Sequence, residues 1–206
     1  MRTRILTLLM VIFFFGCSQT HQPSISYRGN CLRNKYNNII YWRRYPIIIR
    51  IDSNLSDYQI DSTMAAVDRW NRVANAQIFS YNMIQENSDS SSQRIDSSVW
   101  IGECQLGRNS EEQQLLGFTN RTFLLDSYGE PIRINLGSIC IWNHLSDDQW
   151  YPVVLHELGH IIGLNHDMQE NSIMYPDPVS STGSIINEDR EYVRIIGNTI
   201  TRRQRN

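Results

Sequence analysis

The chain has 206 residues, of which 41 % are hydrophobic, and its formal net charge at pH 7 is −2. This length and composition suit one globular domain with a sizeable core. The near-neutral charge without long basic runs argues against binding to a phosphate backbone, so we expect no nucleic-acid partner. Residues 201–206 contain three arginines and are interpreted as a short, solvated basic tail.

The first 17 residues have the features of an export signal. Arg2 and Arg4 precede an apolar run over residues 5–15, which is too short to cross a bilayer as a mature helix. The small residue before Cys17 then resembles the end of a bacterial lipobox, although Phe14 stands where leucine is usual. We therefore expect export with lipidation at Cys17, as an outer-membrane lipoprotein or cell-surface protein. The alternative is an ordinary signal peptide and secretion, and the lipid anchor would be the only membrane contact.

Residues 18–40 are polar, contain Gly, Pro and Asn, and show no apolar periodicity. They are interpreted as a tether that precedes a folded domain over residues 41–200. A β-branched run at 46–51 predicts the first buried strand of that domain. Further strands are predicted at 77–84, 99–101, 115–119 and 132–141, with an exposed polar loop at 85–93.

Three helices are predicted from apolar periodicity and capping signals. The first covers Asp57–Ala74, with a core-facing stripe of Ile60, Met64, Val67 and Trp70. A capping box of Ser146 and Gln149 predicts that the second begins at Asp147, and we expect it to run to about Leu164. The last is predicted over residues 187–197, ending at Gly197, with three residues facing the core: Tyr192, Ile195 and Ile196.

The second predicted helix carries the residues of a catalytic zinc site. His156 and His160 are four residues apart, so both side chains lie on one helical face and can bind one ion. Glu157 between them could take a proton from water without binding the metal. Gly163 allows the chain to leave the helix and bring His166 back to the ion. Three imidazoles leave a fourth position open, which favours catalytic over structural zinc. The alternative is a chance match on an ordinary amphipathic helix, and Gly163 and His166 at these offsets argue against it.

These residues resemble the extended motif of the metzincin metallopeptidases, and the chain is identified as matrixin-like within that group. The segment Ser172–Pro176 resembles the family's methionine turn, so the resemblance implies that Met174 forms an apolar floor beneath the metal. It also implies an α+β fold: a twisted, mostly parallel, mixed sheet of five strands with an active-site helix and a C-terminal helix. A zinc-bound water activated by Glu157 would then hydrolyse peptide bonds in protein or peptide substrates.

The resemblance also implies where a substrate binds. The strand at 115–119 resembles the edge strand that flanks the cleft, and a substrate backbone would add to it as an extra strand. An ordinary edge strand is the alternative. On this basis the residues expected to bind substrate are Leu116, Gly117, Phe118, Val153, Tyr175 and Pro176, of which Val153 and the methionine turn would line a pocket.

The resemblance needs one correction for metals, because matrixins usually hold a structural zinc and calcium. Five histidines are present, and only His21 and His144 remain outside the catalytic motif, so we expect no structural zinc. Calcium stays open, since carboxylates such as Asp96, Glu103 or Asp126 could contribute ligands.

The cysteines also leave alternatives. Cys104 with Cys140 is the preferred disulfide, although three free thiols are possible and sequence does not determine the pairing. Cys31 could cap the zinc as a thiolate, form a disulfide or stay a thiol.

Two rival interpretations follow from the same residues. In a gluzincin, a downstream carboxylate such as Glu188 would replace His166 as the third ligand. An envelope-anchored binding module on an inactive protease fold is the rival outside enzymes, but no ligand or base is missing here. We expect a monomer.

Overall fold

The computed structural model of the protein describes residues 25–28, 31–84, 97–106, 115–181 and 183–204. The expected signal peptide, the lipidation site at Cys17, the polar loop at 85–93, Asp96 and the end of the basic tail lie outside the described residues. Within the described ranges, no helix is both long and apolar enough to cross a membrane.

Eight strands are present in the described residues: β1 (Ile25–Arg28), β2 (Cys31–Asn34), β3 (Tyr41–Trp42), β4 (Ile47–Asp52), β5 (Phe79–Ile84), β6 (Ser98–Cys104), β7 (Gly117–Leu125) and β8 (Pro131–Trp142). The last six form one sheet with the order β3-β8-β6-β4-β5, in which β7 also pairs with β8. Within this sheet, all pairings are parallel except that between β7 and β8. The five predicted strands are confirmed, and the two-residue β3 adds a sixth that is too short to show a periodicity.

Three helices complete the described fold: α1 (Asp57–Ala74), α2 (Asp147–Ile162) and α3 (Asn187–Gln204). Helix α1 packs against α2 and against α3, and α2 also packs against β7 and β8. The predicted capping box of Ser146 with Gln149 is formed, and Ser56 with Gln59 forms a second one at the start of α1. These caps fix where α1 and α2 begin, because each satisfies backbone N–H groups in the first turn of its helix.

All four residues of the predicted core-facing stripe of α1 lie in the core or pack against it. Val67 and Trp70 are fully buried, whereas Ile60 and Met64 are only partly buried at the edge of the core. Small and polar residues of α1 are buried as well: Gln59, Ser62, Thr63, Ala66 and Ala74.

The predicted end of the last helix at Gly197 is wrong, because α3 continues to Gln204. A Cβ at Gly197 would collide with the carbonyl oxygen of Ala74, so this glycine permits close packing of α3 on the end of α1. Tyr192 and Ile196 are buried as predicted, but Ile195 is 42 % exposed.

The boundary between tether and domain also differs from the prediction. β1 pairs antiparallel with β2, and Leu32 and Ile40 are buried in the core. The backbone N–H of Leu32 donates to the carbonyl of Gly163 at 2.8 Å, directly after α2. Residues 31–40 therefore belong to the domain, although their few apolar side chains show no periodicity along the sequence.

Cys104 and Cys140 form a disulfide that joins the ends of the neighbouring strands β6 and β8, with an S–S distance of 2.03 Å. The parallel pairing of these strands places Cys140 opposite Gly102, so the two cysteines are close before the bond forms. Cys31 lies outside this bond and is buried at the end of α2, where its backbone bridges Leu164.

Candidate metal centre and active site

The three histidines of the motif converge at the end of α2. One ring nitrogen from each of His156, His160 and His166 lies within 4.8 Å of the other two. His156 and His160 share the helix face that their spacing predicted, and their ring centroids are 4.6 Å apart. The helix ends at Gly163, whose φ of 103° lies in the left-handed region that favours glycine. The chain then turns so that His166 completes the group, 4.8 Å from His160 between ring centroids.

Backbone carbonyls fix the tautomers of two of these rings. Nδ1 of His156 lies 2.7 Å from the carbonyl oxygen of Ile173, and Nδ1 of His160 lies 3.0 Å from that of Leu164. A carbonyl can only accept, so each Nδ1 must carry the proton that it donates. Nε2 of each ring is left with a free lone pair, which is the form that binds a metal.

Burial keeps the imidazoles neutral. It lowers the pKa of His156 from 6.5 to about 4 and that of His160 well below 6.5, because a charged ring would lose its hydration. The pKa of His166, the most exposed of the three, is also lowered by burial. Neutral imidazole is the metal-ligating form, so the donor set fits zinc, which three histidines commonly bind in catalytic sites.

The turn between α2 and His166 is held by donors from three different elements. The carbonyls of the last two residues of α2 accept hydrogen bonds from Trp42 Nε1 at 2.7 Å and from the Tyr192 hydroxyl at 3.1 Å. The next carbonyl, that of Gly163, accepts from the backbone N–H of Leu32 at 2.8 Å. These contacts come from β3, α3 and β2, so the position of the third ligand depends on the assembled domain.

The methionine turn packs directly on α2. Met174 is fully buried, and a Cβ added to Gly159 would collide with its sulfur. The carbonyl of Ile173 orients His156, and the carbonyl of Met174 accepts from the N–H of Asp167 at 2.8 Å. This turn therefore contacts the segments on both sides of the site through its backbone as well as through the methionine side chain.

Glu157 lies between the first two ligands and is 5 % exposed. The hydroxyl of Thr119 on β7 lies 2.5 Å from its Oε2. Burial raises the pKa of Glu157 from 4.5 to about 7, against the opposing effects of the Thr119 hydrogen bond and the charge of Arg121. A cation held by the neighbouring histidines would favour the carboxylate and lower this pKa.

Two side chains of the site were not identified from the sequence. Thr119 bonds Glu157, and Arg121 donates from Nη1 to the carbonyl of His160 at 2.6 Å. They alternate with Gly117 along one face of β7, and a Cβ on Gly117 would lie 2.5 Å from Glu157 Oε1. The period of two along the strand is the signal that could have grouped them. Which helix that face meets depends on the tertiary fold.

The residues predicted to bind substrate lie in different environments. Phe118 is 52 % exposed on the face of β7 opposite Gly117, and Pro176 is also exposed. Leu116 and Tyr175 are partly buried, whereas Val153 is fully buried in the core. Val153 therefore contacts the core, and a role for these side chains in a substrate pocket stays a prediction.

The carboxylates considered as alternative ligands lie outside the triad. Glu188 is exposed in the first turn of α3, and it is not part of the histidine group. Glu103 accepts a hydrogen bond from Gln59 at 2.6 Å. Asp126 accepts from the N–H groups of Tyr128 and Glu130, so it stabilises the turn between β7 and β8.

A mostly parallel sheet, a histidine triad formed by α2 and the turn after it, and a buried methionine turn together define a zinc-peptidase domain of the metzincin type. The sequence model of the matrixin family matches residues 56–195, which is more than half of the chain. The chain belongs to the matrixin family.

Comparison with curated proteins gives no match. Two solved structures of myroilysin are similar to the chain at 16 % and 15 % identity, with TM-scores of 0.29 and 0.28. The matches cover 61 % and 62 % of this chain, and this chain spans 50 % of the length of each myroilysin chain. Scores of this size carry no argument, so the family assignment depends on the matrixin match and the site.

Replacing His166 with alanine should lower the affinity for zinc by more than about a hundredfold, because it removes one of three ligands. Replacing Glu188 with alanine should leave the affinity unchanged, since this carboxylate lies outside the triad. Competition with a chromophoric chelator measures both constants. A loss of affinity in the Glu188 variant but not in the His166 variant would favour the gluzincin interpretation.

The free energy of unfolding of the zinc-free protein should fall as the pH is lowered from about 6.5 to about 4. Histidines in the unfolded chain take up protons near 6.5, whereas folded His156 does so near 4, so unfolding takes up protons in this window. Glu157 opposes the trend, because the folded state keeps its proton up to about 7 and the unfolded state only to 4.5. Three histidines should outweigh one carboxyl group.

Denaturant unfolding across this pH range measures the effect. The Glu157→Ala variant lacks the opposing contribution, so its stability should fall more steeply than that of the wild type over the same range. A wild-type protein that becomes more stable toward pH 4 would contradict the assigned protonation states.

Proposed function

We propose that this chain is a zinc-dependent endopeptidase. The observation that carries the proposal is the convergence of three imidazoles on one point, on the helix that also carries Glu157, whose buried carboxylate is not one of the ligands. When bound there, zinc would supply Lewis-acid polarisation of the scissile carbonyl and would lower the pKa of a water molecule to about 7. His156, His160 and His166 would hold that ion.

Glu157 is the general base in this proposal. Burial raises its pKa in the metal-free protein, and a cation at the histidines would lower it again, so the group is an ionised base at neutral pH when zinc is bound. The carboxylate would accept a proton from the attacking water and then donate it to the leaving amine. Burial against β7 excludes bulk water from the carboxylate, which strengthens its interaction with the reacting groups.

The edge strand β7 is the proposed platform for the substrate backbone. β7 pairs with β8 alone among the described strands, so its other side can accept an extended peptide. Leu116, Gly117 and Phe118 would contribute main-chain contacts at the start of this strand. Tyr175 and Pro176 of the methionine turn, with Val153 behind them, would shape the pocket for a bulky apolar residue after the scissile bond.

Met174 is proposed as the apolar floor of the metal site. Its sulfur lies against Gly159, one residue before the second ligand, and its backbone is tied to the segment that follows the third. A residue of this shape would fill the space beneath the histidines without offering a charged ligand.

Replacing Glu157 with alanine should keep zinc and fold but lower peptide hydrolysis by about a hundredfold or more, because it removes only the base. The full chain, as wild type and variant, would be incubated with a diverse peptide mixture and its cut sites read by mass spectrometry. Glu188→Ala is a matched control that removes an exposed carboxylate.

Hydrolysis that survives in the Glu157 variant would contradict the mechanism. If the zinc-loaded wild type cuts no peptide, including after N-terminal trimming, the protein is a binding module on an inactive protease fold. In that case neither Glu157→Ala nor Glu188→Ala would show any peptide hydrolysis.

We also propose that the protein is exported and anchored by a lipid on Cys17. The disulfide between Cys104 and Cys140 supports an oxidising compartment, where such bonds persist. The apolar run before Cys17 supports the export signal.

Cys17→Ala should abolish incorporation of a labelled fatty acid and release the protein from membrane fractions, because the thiol at the lipidation site is removed. Cys31→Ala is the matched control and should keep the label. A wild-type protein that takes up no label would indicate an ordinary signal peptide.

A further inference from the structure

One face of strand β7 contacts the part of α2 that carries Glu157 and His160. Gly117, Thr119 and Arg121 alternate along this face and lie toward α2, where they contact Glu157 or the carbonyl of His160. The Thr119 hydroxyl lies 2.5 Å from Glu157 Oε2 and 3.2 Å from the Glu157 carbonyl oxygen. The hydroxyl carries one proton, and the shorter distance assigns it to the carboxylate oxygen, with the backbone carbonyl of the proposed base as a second acceptor within reach.

We propose that Thr119 is a positioning residue for Glu157. Its hydroxyl donates to one carboxylate oxygen and so holds the base in a single orientation against the edge strand. This proposal rests on the proposed endopeptidase function, since positioning matters to catalysis only if Glu157 is the base.

The contact restricts a side chain that would otherwise be free to move. Glutamate has several rotatable bonds, and the rotamer freedom lost on ordering it is among the largest of any residue. A short hydrogen bond to an ionised carboxylate is roughly twice as strong as one between neutral groups, so it can hold one rotamer. Because a carboxylate offers about four acceptor positions, Thr119 leaves capacity for the proton of the attacking water.

Gly117 restricts the same carboxylate orientation, because it lies beside Oε1 of Glu157 whereas Thr119 bonds Oε2. A Cβ at this position would lie 2.5 Å from Glu157 Oε1 and 2.9 Å from its Cδ. The absence of a side chain at Gly117 therefore leaves the space that the carboxylate occupies, and Thr119 two residues later supplies the donor. Both residues lie on the strand that would pair with substrate. Strand β7, as well as helix α2, therefore fixes where the Glu157 carboxylate lies relative to a bound substrate.

The test compares the full-length, zinc-loaded wild type with Thr119→Val, which keeps the side-chain shape but lacks the hydroxyl, and with Thr119→Ser, which restores it. We expect Thr119→Val to lower kcat by about tenfold or more with little change in KM, because misplacing a catalytic group by a fraction of an ångström is costly. Zinc content should be unchanged, and Thr119→Ser should recover most of kcat. Thr199→Val, which removes a hydroxyl bonded to a helix carbonyl on α3, should match the wild type.

Three results would overturn the proposal: wild-type kcat in Thr119→Val, an effect confined to KM, or a serine variant as impaired as the valine variant. A defect in folding alone would lower zinc content and active fraction in both variants and would not be rescued by serine.

A second measurement does not depend on activity. In a double-mutant cycle of Thr119→Val and Glu157→Ala, the unfolding equilibrium constant should show a coupling of roughly tenfold between the two positions. Additive effects would overturn the contact. If the wild type hydrolyses no peptide, the endopeptidase function fails, and the cycle still decides whether Thr119 holds the carboxylate.

Discussion

The end of helix α2 is the constraint on which the rest of the site depends. A helix that stops inside a protein leaves carbonyl groups without helical partners, and each one buried without a donor costs about 1–3 kcal/mol. Here Trp42, Tyr192 and Leu32 donate to three successive carbonyls at this end. The donors come from three elements that are distant in sequence. Folding of the whole domain therefore fixes the turn at Gly163, and that turn determines where His166 lies.

Burial has two effects on the residues at this turn. It keeps the histidines neutral, and therefore in the form that binds metal, by lowering the pKa of His156 to about 4 and those of the other two ligands. It also raises the pKa of Glu157 to about 7, which moves a carboxyl group into the range of general acid–base chemistry. Thr119 limits the cost of burying that carboxylate by donating to it. The same desolvated environment thus prepares the ligands and the base.

The features that could be predicted from the sequence are those set by local spacing. The histidine triad follows from a period of 3.6 and one glycine, and the capping box at Ser146 follows from a side chain three residues away. The features that could not be predicted depend on tertiary contacts. Gly197 has the signature of a helix end but serves close packing on α1. Leu32 and Ile40 are buried without a periodic pattern, and Thr119 contacts Glu157 only because β7 packs on α2.

X-ray absorption at the zinc edge of the loaded full chain tests the central claim most directly, because it reports the atoms bound to the ion. Coordination by three histidine nitrogens at about 2.0–2.1 Å and one oxygen, with one zinc ion per chain, is the expected result. A sulfur at about 2.3 Å would place a thiolate such as that of Cys31 on the metal, and two nitrogens with two oxygens would replace a histidine by a carboxylate. Either result would contradict a site built from His156, His160 and His166.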